Sequence, residues 1–333
     1  MRVVTVMLLL ATALPVWAED PREAGVPSRP VATYSIVARD PQTGDLGVAV
    51  QSHWFSVGGT VPWAEPGAGA VATQSFVEVS YGPRGLALMR EGKSAQQALD
   101  ALLAKDAHKN VRQVAMVDGQ GRVATWTGPE CIQAAGHANG AGYSVQANMM
   151  DRETVWPAMA RAYEGSAGRP FPERLLAALD AAEGQGGDLR GRQSAALRVV
   201  RGKASRAPWS DRVVDLRVED HPEPLKELRR LYELHVAYEE MNAGDEALAQ
   251  DKLDQALGHY TRAAQLAPQV TELPFWQAVT LFTSGQEERA LALFRDVFAR
   301  DPRWLKLVPR LVPVGLLPDD EKKLQQILAT AQP

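Results

Sequence analysis

A chain of 333 residues, 45% of them hydrophobic, can build two ordinary domains with a substantial core and is not a disordered polymer. Lys and Arg total 36 against 40 Asp and Glu, so there is no basic excess of the kind a general nucleic-acid binder concentrates on one face. The single cysteine, Cys131, excludes an intrachain disulfide; without a CxxC partner it reads as a small buried hydrophobe rather than a reactive thiol.

Taken in chain order, Met1 to Ala18 opens with one basic residue, Arg2, followed by an apolar core that ends Val16-Trp17-Ala18. That pattern predicts a cleaved secretory signal, and the apolar stretch is shorter than the roughly 20 residues needed to span a bilayer. The expectation is a periplasmic or secreted protein with no stable membrane insertion after cleavage. Residues 19–32, with prolines at 21, 27 and 30, read as a linker.

From Thr33 the pattern is strand-rich. TYSIVARD and LGVAVQSH flank a turn at PQTGD and predict a hairpin. AGAVATQSF is a further strand, GPRGLALMREG and SAQQALDALLAKD are helices with Ser94 as N-cap of the second, and VRQVAMVDGQGRVATWTG is a second hairpin. GYSVQANMM resumes strand character, two helices follow over about 153–184, and SAALRVVR and VVDLRVED close a domain expected to span 33–220. Strands, helices, strands, helices, strands in that order suit an α+β sheet sandwich with helices outside.

Residues 221–333 change character to all-helical. Pro268 and Pro302 lie 34 residues apart, and the same offset matches Ala256 with Ala290, Leu257 with Leu291 and Tyr260 with Phe294. The period resembles the tetratricopeptide repeat. This region is either a packed appendage or a groove for a protein partner.

Common catalytic signatures are missing: no GxSxG, HExxH or GxxxxGK[ST] occurs. GAGAVA at 67–72 follows Pro66 and leads into a strand, so it lacks the helix N-terminus that a dinucleotide requires. The six histidines are scattered without metal-ligand spacing, and no metal or cofactor is expected. What stands out is polar residues in apolar strands. Strand alternation puts Thr33 and Ser35 on one face of TYSIVA, while Gln51, Ser52, Gln74, Gln146 and Asn148 lie in neighbouring strands. Left unpaired, buried groups of this kind cost about 1–3 kcal/mol each, so they should converge on a shared polar pocket or on backbone groups. In GGDLRGRQSAAL, Arg190 and Arg192 lead into a strand; each could hold a substrate carboxylate or an internal acidic side chain such as Asp188.

TYSIVARDPQTGDLGVAVQS, SVGGTVPWAEPGAGAVATQSF, YGPRGLALM, GYSVQANMM and GGDLRGRQSAAL, in this order over Thr33 to His221, resemble the family catalogued as domain of unknown function 1028. The resemblance implies the N-terminal-nucleophile hydrolase superfamily and a four-layer αββα sandwich. It also implies a mechanism in which Thr33, once it is the first residue, attacks an amide carbonyl and its own α-amine takes the proton. On that reading Thr33 and Asn148 are catalytic, with Asn148 or a backbone N–H as oxyanion donor. Ser35, Ser52, Gln74, Arg190 and Arg192 bind a small-molecule or peptide substrate. Members often begin Met-Thr at the matching position, whereas here fourteen residues would remain between the signal and Thr33. Activity then requires cleavage of the Ala32-Thr33 bond; the alternative is a non-catalytic module that binds a partner through its C-terminal helices.

Overall fold

The computed structural model describes residues 30–31 and 33–331. The expected signal, and the linker apart from Pro30 and Val31, lie outside the described residues. The protein is an α+β structure with two antiparallel sheets and an all-helical C-terminal region.

In chain order, β1 (Thr33–Arg39) and β2 (Leu46–Ser52) form the first hairpin. Next come β3 (Pro62–Glu65) and β4 (Gly69–Ser75), then α1 (Tyr81–Arg90) and α2 (Ala95–Leu103). Ser94 caps α2 through the backbone N–H of Gln97, whose side chain reaches back to complete a capping box. The second hairpin is β5 (Arg112–Asp118) with β6 (Val123–Thr127), followed by β7 (Gly136–Gly140) paired to β8 (Tyr143–Asn148). After α3 (Val155–Gly165) and α4 (Phe171–Gly184), β9 (Ser194–Val200) and β10 (Arg212–Val218) end the sheets.

The six-stranded sheet has the order β10-β9-β2-β1-β8-β7 and the four-stranded sheet the order β3-β4-β5-β6, so β1 is central. Alternation sorts each strand's side chains between two clusters. Val37, Val48 and Val50 meet Ala70, Ala72, Ala115 and Val117 between the sheets. On the far face of the larger sheet, Tyr34, Ile36, Ala49 and Leu197 pack with Met159, Leu175 and Leu179 of α3 and α4. On the far face of the smaller sheet, Val71, Val114 and Met116 pack with Leu86, Leu99 and Leu102 of α1 and α2. Contact is close enough that a Cβ on Gly47 would stand 2.6 Å from Leu175 Cδ1 and 2.9 Å from Phe171 Cε1, so a larger residue there would force these α4 side chains to shift.

α5 (Pro224–Ala249) begins just beyond the expected boundary at 220/221. Its first turns place Leu225, Leu228 and Tyr232 in the sheet-side core, and its later turns place Ala237, Met241 and Ala247 in a second core. That second core is built with α6 (Leu253–Leu266), α7 (Glu272–Thr283), α8 (Glu287–Arg300), a short α9 (Val308–Leu311) and α10 (Glu321–Ala329). α6 and α8 are each 14 residues long and start 34 positions apart, with Pro268 and Pro302 two residues past their respective ends. Ala256 and Ala290, then Tyr260 and Phe294, are buried at matching positions. A Cβ on Gly244 of α5 would stand 2.4 Å from the Tyr260 ring, and its counterpart 34 residues on, Ala278, is also small and fully buried. Among the described residues no strand occurs after Val218 and no helix is long and apolar enough to cross a membrane.

Candidate active site

Thr33 heads the central strand of the larger sheet. In register it stands between Ser52 of β2 and Asn148 of β8, and all three are fully buried. Its side chain shares the inward face with Ser35 and Val37 because residues two apart on a strand point the same way. Thr33 Oγ1 donates to the Val31 carbonyl at 2.8 Å and stands 3.3 Å from Ser52 Oγ.

Behind Thr33 most of the polar side chains satisfy one another across the two sheets, whereas the buried Gln51 amide, expected to join them, finds no partner among the described residues. Ser35 Oγ donates to Gln74 Oε1 at 2.6 Å and accepts from Gln146 Nε2 at 2.6 Å. Gln74 Nε2 donates to Gln113 Oε1 at 2.7 Å and to the Thr33 carbonyl at 3.2 Å. Asn148 Nδ2 donates to the same Gln113 oxygen at 3.0 Å, and Gln113 Nε2 donates to the Ala147 carbonyl at 2.9 Å. The buried Asn148 Oδ1 meets no donor among the described residues. Such a network holds its side chains in one arrangement, since each bond lost strands a partner in a dry interior. Gln113 was not singled out in the sequence. Its position two residues before Ala115, on a strand face continued by Ala115 and Val117 between the sheets, is the available signal.

The two arginines are placed differently. The loop before β9 is strapped to the end of β8, with Asp151 N–H donating to the Gly187 carbonyl and Leu189 N–H to the Met149 carbonyl. Arg190 is therefore near the Thr33 end of the sheet, but its guanidinium grips Asp188 through Nε to Oδ1 at 3.1 Å and Nη2 to Oδ2 at 2.9 Å. The Asp188 carboxylate, itself fully buried, also accepts the His53 backbone N–H at 3.1 Å. Arg192 bonds Glu183 and Glu223, and Glu183 in turn accepts the Tyr34 hydroxyl. Tyr34 points to the α4 side of β1, so Arg192 belongs to the opposite face of the sheet from Thr33 and Ser35. Burial, and then the Glu183 charge, hold the Tyr34 phenol well above its usual range, and Glu183 raises Arg192. Both arginines line an open cavity of about 450 Å³ with Glu183, Asp188, Leu189 and Pro222, and Thr33, Ser35, Gln74 and Asn148 do not line it. The structure thus groups Thr33, Ser35, Ser52, Gln74 and Asn148 and separates Arg192 from them.

Two supports frame the far side of the site. Ser75, at the end of β4, has a φ of 70°, a conformation costly to residues other than glycine, and its backbone pairs with Val31. The chain after it is fixed by Arg112, which donates to the Phe76 carbonyl at 2.6 Å and to Asp106 Oδ2 at 2.9 Å. Cys131 is buried with its thiol donating to the Arg112 carbonyl at 3.3 Å, and burial pushes that thiol up. Among the described residues no group of three His, Cys, Asp or Glu side chains is placed to hold a metal ion.

A family model described as a family of unknown function, DUF1028, matches residues 33–228. The crystal structure of protein SPO2555 from Silicibacter pomeroyi, assigned to the same family, shares 33% sequence identity, covers 60% of this chain and 84% of its own, and superposes with a TM-score of 0.54. Anbu (ancestral beta-subunit) from Yersinia bercovieri is a remote match at 12% identity, covering 60% of this chain and 93% of its own; at a TM-score of 0.31 the two folds are not equated. No curated protein matches the chain.

Proposed function

This chain belongs to the family of unknown function DUF1028, and on that premise we propose that it is an exported N-terminal-nucleophile amidohydrolase acting on a small or peptide-like amide. The observation that carries the reading is the position of Thr33. It is a hydroxyl residue at the head of the central strand, turned inward between Ser52 and Asn148 and backed by the glutamine network. The two packed sheets with helices on each outer face are read here as a four-layer αββα sandwich, and the 34-residue register of α6 and α8 as a tetratricopeptide-like repeat.

In this mechanism hydrolysis of the Ala32-Thr33 bond converts an amide nitrogen into an α-amine with an ordinary pKa of about 7.7–8.0. The amine accepts the Oγ1 proton as Oγ1 forms a bond to the substrate carbonyl carbon, and the carbonyl electron pair moves to oxygen. Asn148 Nδ2 carries a second hydrogen beyond the one given to Gln113, and it or a backbone N–H stabilises that oxyanion. Collapse expels the leaving amine with the proton returned from the α-ammonium, and water then hydrolyses the Thr33 ester. No cofactor takes part. The Nε–Nη2 edge of the Arg190 guanidinium is committed to Asp188, so a bidentate grip on a substrate carboxylate through that edge would require releasing Asp188.

A second reading rests on the matched helices α6 and α8: a periplasmic or secreted module that docks a protein partner through its C-terminal helices without catalysis. The test begins with the mass of the mature N-terminus, Thr33 for the enzyme or Glu19 for the binder. Hydrolysis of small amides is then compared between the chain starting at Glu19, the chain starting at Thr33, and the latter with Thr33→Ala. Activity gained on trimming and lost on substitution supports the enzyme; equal activity in all three points to a different nucleophile.

A further inference from the structure

Val31 is fully buried, although it stands two residues ahead of β1. Its N–H donates to the Ser75 carbonyl at 2.7 Å, and Ser75 N–H returns a bond to the Val31 carbonyl at 3.0 Å, an antiparallel bridge to the end of β4. The side chain joins the apolar cluster between the sheets that includes Val57, Val61 and Val77, with Trp54 partly buried against it. A solvated tether would have none of these contacts. Paired main-chain bonds at a strand end with one side chain in an apolar pocket are the means by which sheets recognise extended peptides: the bonds give affinity and the pocket gives selectivity.

We infer that the Val31 seat is the subsite for the acyl side of the substrate, which is an extended peptide with a β-branched apolar residue, such as Val or Ile, immediately before the residue that bears the scissile carbonyl. The inference rests on Thr33 being the nucleophile. The two are joined geometrically, because Thr33 Oγ1 lies 2.8 Å from the Val31 carbonyl oxygen. A peptide bonded to Ser75 in the same way delivers its following residue toward Thr33. The valine lining selects for apolar shape and against charge, since a carboxylate there would lose its water without gaining a donor. While residues 30–31 fill the seat, a peptide cannot. Hydrolysis of the Ala32-Thr33 bond, with water giving hydroxyl to the Ala32 carbonyl carbon and hydrogen to the Thr33 nitrogen, frees the seat and the amine together.

The test uses dansyl-Arg-Pro-Val-Ala, the chain's own residues 29–32, titrated by fluorescence anisotropy against two proteins carrying Thr33→Ala. One begins at position 33 and the other at position 19. Binding to the shorter protein is expected to be at least about tenfold tighter than to the longer one, because the longer one fills its own seat. Replacing Val by Asp in the peptide is expected to weaken binding to the shorter protein by about tenfold or more. Equal affinity of the two proteins, equal affinity for the Val and Asp peptides, or no binding to the shorter protein overturns the inference. Neither protein has the Thr33 hydroxyl, so the result does not depend on turnover. Peptide binding as expected alongside a chain beginning at Thr33 that is inactive on amides would overturn the nucleophile assignment, and with it the acyl-side role of the seat, while leaving the seat as a peptide site.

Discussion

Ser35 Oγ donates to Gln74 Oε1 at 2.6 Å, and this bond joins the central strand of one sheet to β4 of the other. Gln74 also serves Gln113, the Thr33 carbonyl and, at 3.5 Å, the Gln146 carbonyl, so its amide is shared by four partners. Gln74→Leu keeps the bulk but strands these groups in a dry layer and is expected to cost about 2–4 kcal/mol. Urea unfolding at unchanged m-value measures it. Adding Ser35→Ala should cost less than the sum of the single changes, because the two residues share one interaction.

Asn148 has one amide hydrogen engaged by Gln113 and an oxygen without a donor among the described residues. If its remaining N–H meets the developing oxyanion, Asn148→Ala should lower kcat by on the order of 10²–10³ with KM little changed. Steady-state kinetics on the chain beginning at Thr33 decide the point. A rise in KM at constant kcat would assign Asn148 to substrate binding instead.

Arg112 and Asp106 anchor the segment after Ser75, and the Arg112 side chain is only 3% exposed. Burial would raise the Asp106 carboxyl, but the Arg112 side chain and the His108 backbone N–H outweigh it and hold the group below its usual range. A carboxylate with a depressed folded pKa contributes stability above its unfolded value, about 3.9, and loses it as pH falls through the folded value. Asp106→Asn should therefore cost about 3–5 kcal/mol at neutral pH by leaving Arg112 buried without its counter-charge, and the difference should begin to shrink below about pH 4, where the unfolded carboxyl protonates, and close only as pH falls through the depressed folded value. Denaturant melts of both proteins from pH 7 down to pH 3 give the comparison.

Arg190 and Arg192 should separate in a stability assay. Arg190→Met leaves the Asp188 carboxylate buried without its cation and is expected to cost about 3–5 kcal/mol. The Arg192 side chain is 42% exposed, and Arg192→Met should cost no more than about 1 kcal/mol. Thermal unfolding of the two variants reads this directly. Because Arg192 lies on the α4 side of β1, its loss should also leave the KM of any amide substrate unchanged.

Much of the framework follows from local pattern. The two hairpins, the helices of 155–184 and the helical tail are set by alternation, turn chemistry and 3.6-residue periodicity, which act over a few neighbouring residues. Alternation alone put Thr33 and Ser35 on one face, and the offset of 34 alone matched Tyr260 with Phe294. β3 and β7 carry no strong strand signal in the sequence, because PWAE is short and GHANG is rich in glycine.

What the sequence could not determine was the choice of partner across distant segments. An arginine at a strand entry looks the same whether it faces a substrate or an internal carboxylate, and only the folded chain gave Arg190 to Asp188 and Arg192 to Glu183. Likewise Val31 reads as linker in PSRPVA, and it is buried only because Ser75, 44 positions later, ends a strand beside it. Local sequence fixes where a side chain points along its own strand. Which side chains meet is decided by sheet order and by the packing of one sheet on the other, and these depend on the whole chain at once.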